Sequence, residues 1–214
     1  MNDKEAEIFV LDQIPIVRQS LIPSTLKTAY DAAKLYFDGE EIFKVESAKQ
    51  NRGRVVAWAV DRGFEKLIES GQWPYEMAWQ PFAKPTGKYL QIRMPYAVLT
   101  ISQCEDPEEQ PRNVKFRENL RLSPQGVLPF AEFENDRRAM GVPHIILAHG
   151  HQDLIFAQLG IPNANHGLGY IYRTRNLLLM PHEIAQTLPT VEQTDMDAVV
   201  TLKEEIDKWR RDNG

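Results

Sequence analysis

Five histidines, His144, His149, His151, His166 and His182, share one short window and are the only histidines in the chain. Neutral imidazole is a common ligand of divalent metals, and a nearby carboxylate completes a donor set such an ion accepts. If His149-Gly150-His151-Gln152-Asp153 is extended, its period of two places both imidazoles and the carboxylate on one face. His166 or His182 would then add a ligand after a chain reversal, and a metal-bound water would be the nucleophile of a hydrolase or nuclease. The plainer reading is a solvated polar connection between Leu147 and Leu154. A metal centre also needs partners that orient its imidazoles, and spacing does not supply those.

The run Ile145-Ile146-Leu147-Ala148-His149-Gly150-His151-Gln152-Asp153 resembles the strand and His-x-His-x-Asp opening of the metallo-β-lactamase-fold hydrolases over those few residues. That motif closes with a further histidine where this chain has Leu154, so no active-site role is carried across. The helix-then-hairpin order also suits nucleases that hold a metal with an Asp on one strand and Glu-x-Lys on the next. The corresponding strand here offers Gln91-Ile92-Arg93, which lacks the carboxylate.

Cationic residues form a second set. Arg112, Lys115, Arg117 and Arg121 make one segment locally basic, with Arg117 and Arg121 on one helix face, where they could meet phosphates or simply balance the acidic loop before them. Arg173 and Arg175 alternate on a strand near the histidines, suiting an anionic ligand or a guarded sheet edge. Arg52 and Arg54, and the carboxylates Asp61, Glu65 and Glu69, read as solvated helix faces. Trp73, Tyr75, Trp79, Phe82, Tyr89 and Tyr96 gather on or beside a hairpin, as core or as a platform for a protein or for bases. Neither a GxxxxGK[ST] nor a GxGxxG phosphate loop occurs, and neither does a GxSxG elbow.

These groups need elements to hold them. Leu26, Ala29, Tyr30, Ala33 and Phe37 repeat at helical spacing, predicting a helix from Ser24 as cap to about Phe37. Val56, Val60, Phe64, Leu67 and Ile68 predict a second over 54–70, ended by Gly71. Alternation then predicts a strand at 75–80, a turn at 84–87 and a long strand over 89–101 that Pro95 must bulge, break or send to an edge. A short helix over 112–122 follows an acidic loop, and three further strands are expected at 142–148, 154–159 and 169–180. Thr194 and Asp197 open a terminal helix carrying Val199, Leu202, Ile206 and Trp209.

The 214 residues, 43% hydrophobic and 26% charged, suit one globular α+β domain: two N-terminal helices packed on a mostly antiparallel sheet, with a docked C-terminal helix. Within it, 1–104 carries helices and hairpin, 105–140 a loop and short helix, 141–184 a second strand group, and 185–214 an irregular segment and the terminal helix. A net charge of -5 gives no general attraction to polyanions, so nucleic acid would be met through local basic patches alone. The single cysteine, Cys104, excludes an internal disulfide and fits a reducing compartment. The acidic start has no secretory pattern and no stretch could span a bilayer, so a soluble cytoplasmic protein is expected. The function expected from these features is a non-enzymatic binding or regulatory module acting on another macromolecule, a protein partner or a second copy, without a cofactor. The alternative is the metal-dependent hydrolase or nuclease of the histidine window.

Overall fold

A computed structural model describes residues 1–49, 51–82, 87–122, 143–180 and 196–213. Helix α1 (Asp3–Gln13) opens on a capping box in which the Asn2 side chain accepts from Glu5 N and the Glu5 carboxylate accepts from Asn2 N, both at 2.9 Å. A short turn, α2 (Ile16–Gln19), leads into α3 (Leu21–Gly39). Pro23 sits in the first turn of α3, where its missing N–H has no intrahelical partner to lose. Ser24 therefore lies inside the helix, its hydroxyl donating back to the Leu21 carbonyl at 3.0 Å, and does not cap it. A further turn, α4 (Glu46–Lys49), precedes α5 (Arg52–Glu69), and Gly71 at φ +74° follows its end as the sequence predicts.

The sheet has six strands in sequential order: β1 (Glu76–Pro81), β2 (Lys88–Arg93), β3 (Val98–Cys104), β4 (His144–Gly150), β5 (Ala157–Pro162) and β6 (Tyr170–Arg173). All neighbours pair antiparallel except β3 and β4, which run parallel because α6 (Lys115–Leu122) lies in the crossover between them. The long strand expected over 89–101 is two strands, since Pro95 lies in a tight turn closed by Met94 N–H to Ala97 O at 2.9 Å. Of the strand expected over 169–180, only the first part pairs; Leu177–Leu179 is a 3₁₀ turn.

Alternation sorts the side chains. Leu90, Ile92, Leu99, Ile145, Leu147, Ala157, Leu159 and Ile161 face the helices and join Leu26, Ala33, Val56, Val60 and Phe64 in one core. Trp73, fully buried, packs on Phe64 and Tyr75 and spends its indole N–H on the Arg18 carbonyl at 3.1 Å. The opposite face carries Thr100, Ser102, Cys104, Ile146, Ala148, Gln158 and Gly160. The 105–111 loop reaches this face through its backbone, with Pro107 O accepting from Arg173 Nη1 at 2.7 Å and from Gln158.

Helix α7 (Met196–Asn213) docks on α3 and α5 by burying Val199, Leu202 and Ile206. Glu205 meets Arg62 at 3.0 Å and Lys66 at 2.8 Å, and although burial opposes it, hydrogen bonds from Lys66 and Arg62 hold its carboxyl below the ordinary range. All three side chains are about one-third exposed, so this network is worth little beside the apolar contact. Glu205→Gln is expected to lower unfolding free energy by less than about 1 kcal/mol in urea titration. No helix among the described residues is long and apolar enough to cross a membrane.

Candidate functional site

The site begins with a buried pair from distant parts of the chain. Tyr30, on the sheet-facing side of α3, meets His149 of β4, with its hydroxyl 2.7 Å from His149 Nδ1 and the rings edge to face at 5.7 Å. The same hydroxyl donates to the Gly150 carbonyl. A carbonyl can only accept and a phenol has one proton, so His149 Nδ1–H is the donor and Nε2 keeps its lone pair. Burial, foremost, and the nearby His151 pull His149 down to about 4, against a smaller opposing contribution from a Gly150 backbone hydrogen bond. Burial and then the Asp153 charge push Tyr30 up. Both groups are therefore neutral at neutral pH.

After Gly150 the chain leaves the sheet and turns sharply. Asp153 N–H reaches His151 O at 2.8 Å and Ile155 N–H reaches Asp153 O at 3.0 Å, two successive three-residue turns. Gln152, between the first pair, sits at φ +64°, the only non-glycine among the described residues with positive φ. That conformation is strained for a side chain with a Cβ, and such strain gathers where a ligand or switch needs the backbone held.

The turn forms one wall of an open cleft of about 440 Å³. One face of α3 forms the other, with Pro23, Lys27, Tyr30, Asp31 and Lys34, and the N-terminal end of α5 adds Arg52 and Val56. Lys27, Tyr30, Asp31 and Lys34 follow the i, i+3, i+4, i+7 spacing that stacks side chains along one helix face. Arg52 meets Asp153 at 3.5 Å, and Asp153 is 76% exposed, so that pair is weak and exchangeable. Lys27 and Lys34 make no ion pair among the described residues.

The described histidines of the window do not converge. His149 is buried against Tyr30, while His151 is exposed with its ring against Gly53. Asp153 turns to Arg52, and His166 donates through Nε2 to the Pro111 carbonyl at 3.0 Å. Extended geometry over 149–153 is lost because β4 ends at Gly150 and Gln152 reverses the backbone. Among the described residues no three His, Cys, Asp or Glu side chains are grouped to hold a metal ion. The shared-ion arrangement of His149, His151, Asp153 and His166 is thus not formed, and His182 lies outside the described residues.

The basic segment is not a single patch either. Arg112 and Lys115 are exposed, but Arg117 folds inward to Ser102 Oγ at 2.6 Å, and the Arg121 side chain lies outside what the structure describes. Arg173 pairs with Glu108, while Arg175 is exposed. Of the aromatic set, Tyr89 stacks on Phe116 at 3.9 Å and Phe82 lies 5.6 Å from both, so these rings are spent on each other. Trp79 remains exposed, its indole N–H on Glu65 at 2.7 Å. Asp61 keeps its proton to about pH 7 through burial and the Glu65 charge, and Glu65 and Glu69 pair with Arg62 along the same helix. Lys27 and Lys34 were missed because a polar helix stripe looks the same beside a cleft as beside bulk water. Comparison with protein-family models, with curated proteins and with solved structures gives no match.

Proposed function

We propose that the chain is a ligand-binding module whose cleft between α3, α5 and the 150–154 turn takes a small molecule bearing phosphate or carboxylate groups. The observation that carries this reading is the pair Lys27 and Lys34, which face a cleft of ligand size and make no ion pair among the described residues. Seven residues apart on one helix, they stand about 10 Å from each other along its axis, a spacing that favours a ligand with two anionic ends. Arg52 stands across from them, and a ligand oxyanion would replace Asp153 as its partner. Asp31 lies between the lysines and would face a hydroxyl or amine of the same ligand. A volume near 440 Å³ is within the range of small-molecule sites. The module expected from the sequence would act on another macromolecule through the hairpin or basic helix; this reading replaces that partner with a small molecule and moves the contact to the cleft.

Calorimetric titration with inorganic diphosphate and with a nucleoside monophosphate tests the proposal. The wild-type chain should bind at least one, and more weakly as salt rises. The double substitution Lys27→Ala and Lys34→Ala should weaken that binding by at least about tenfold, the loss of about 1.4 kcal/mol of charge-assisted contact. Binding by the double variant as tight as wild type, or no heat from either probe, would remove the cleft as the site.

A further inference from the structure

We propose that the sheet face turned away from α3 and α5 holds a second, independent site, in which Arg117 and Tyr170 take a carboxylate or phosphate oxyanion. Arg117 comes from α6, where the neighbouring Phe116 anchors on Tyr89, and the guanidinium lies 4.9 Å over the Phe116 ring. Its Nη2 donates to Ser102 Oγ at 2.6 Å and its Nη1 to the Arg112 carbonyl at 2.9 Å. Ser102 already donates its own proton to Ile101 O at 2.7 Å, so it meets Arg117 as an acceptor. The third edge of the fork is open: Nε is sealed from solvent and has no hydrogen-bond partner among the described residues.

Tyr170 repeats the condition across the strands. Its ring lies over Gly160, where a Cβ would come within 2.5 Å of it, so only glycine admits the ring. Its hydroxyl is likewise sealed and without a partner among the described residues. Cys104, Ile146, Ala148 and Phe156 form the apolar floor against which Tyr170 packs. No carboxylate among the described residues pairs with Arg117; the groups that act on its charge are Cys104 and Tyr170. Burial pulls Arg117 down to about 10, which leaves it a cation at neutral pH.

A cation held away from water without a counter-charge is costly, and orphaned buried donors are rare enough to require an occupant. A water would satisfy hydrogen bonds but not the charge. An oxyanion does both, one oxygen accepting from Arg117 Nε–H and a second from the Tyr170 hydroxyl.

The test follows the Arg117 Nε–Hε resonance of the full chain by NMR, assigned by its loss in Arg117→Lys, while inorganic phosphate and, separately, acetate are added. Saturable movement of that resonance is expected with at least one anion, and which one it is decides between phosphate and carboxylate chemistry. Tyr170→Phe, which keeps the ring over Gly160, should weaken the response by about tenfold. Lys27→Ala with Lys34→Ala should leave it unchanged, which separates this site from the cleft. An Nε–Hε resonance unmoved by either anion, or a Tyr170→Phe variant that binds as wild type, overturns the site.

Discussion

Gly150→Ala should cost about 3 kcal/mol or more of stability, because the new methyl has nowhere to go. A Cβ on Gly150 would stand 2.1 Å from the Asp153 carbonyl oxygen and 3.0 Å from Ile155 N, both backbone atoms of the turn after β4. A flexible side chain could swing aside; a backbone pinned by Gly150 N–H to Phe156 O at 3.1 Å and Asp153 N–H to His151 O at 2.8 Å cannot do so without opening. For a chain of this size the loss corresponds to a midpoint lower by about 6 to 12 °C. Gly71→Ala is the matched control: φ there is +74°, but nothing lies within 4 Å, so only backbone strain of about 1 kcal/mol is expected. Thermal melts of the three proteins decide, and a Gly150→Ala midpoint no lower than that of Gly71→Ala would contradict the turn geometry. Gly150→Ala should also weaken binding in the cleft, since the turn it opens carries Gln152 and Asp153 into the wall.

That turn marks where sequence periodicity stops being informative. Where one face is apolar the pattern reads through: Val56, Val60, Phe64 and Leu67 place α5 to within two residues of its observed start, and Gly71 ends it. Helix α1 escaped because Ile8, Phe9, Val10 and Leu11 run consecutively around the helix and give no one-sided stripe, although of these four only Phe9 and Val10 are buried. Its available signal was Asn2-x-x-Glu5, the capping box. Pro95 announced a break in the second hairpin strand but not its form. The turn there is held by a contact 83 residues away, Tyr96 N–H to the buried Gln13 side chain at 2.8 Å. The parallel pairing of β3 with β4 has no local signature, since a crossover sets it. The common strand face expected of His149, His151 and Asp153 is lost for a related reason. Alternation of His149, His151 and Asp153 predicts a common face only while the strand continues, and the left-handed Gln152 ends that premise. The partner that defines His149, Tyr30, lies 119 residues away and could be found only by folding the chain.

The same burial that neutralises His149 makes stability depend on acid in a way that Asp61 conceals. An unfolded His149 takes up its proton near its ordinary 6.5, but the folded one only near about 4. Between those values the unfolded state binds the extra proton, so this group makes the protein less stable as pH falls, by up to about 3 kcal/mol. Asp61 acts in the opposite sense. Burial and the Glu65 charge raise it from 3.8 to about 7, so the folded state holds a proton that the unfolded state releases, and stability falls as pH rises across that interval. From about pH 4 to 6.5 the two slopes oppose each other, and the wild-type curve from urea titration should be nearly flat there. Asp61→Asn removes one slope while keeping the shape of the side chain. That variant should lose roughly 1.4 kcal/mol per pH unit on acidification below 6.5, one proton's worth, and should exceed the wild type above pH 7, where the native carboxylate is charged. His149→Gln should do the reverse and gain stability on acidification over the same range. Parallel curves for wild type and Asp61→Asn would mean that Asp61 does not hold its proton in the fold, and a flat Asp61→Asn curve would mean that His149 is not kept neutral by burial against Tyr30.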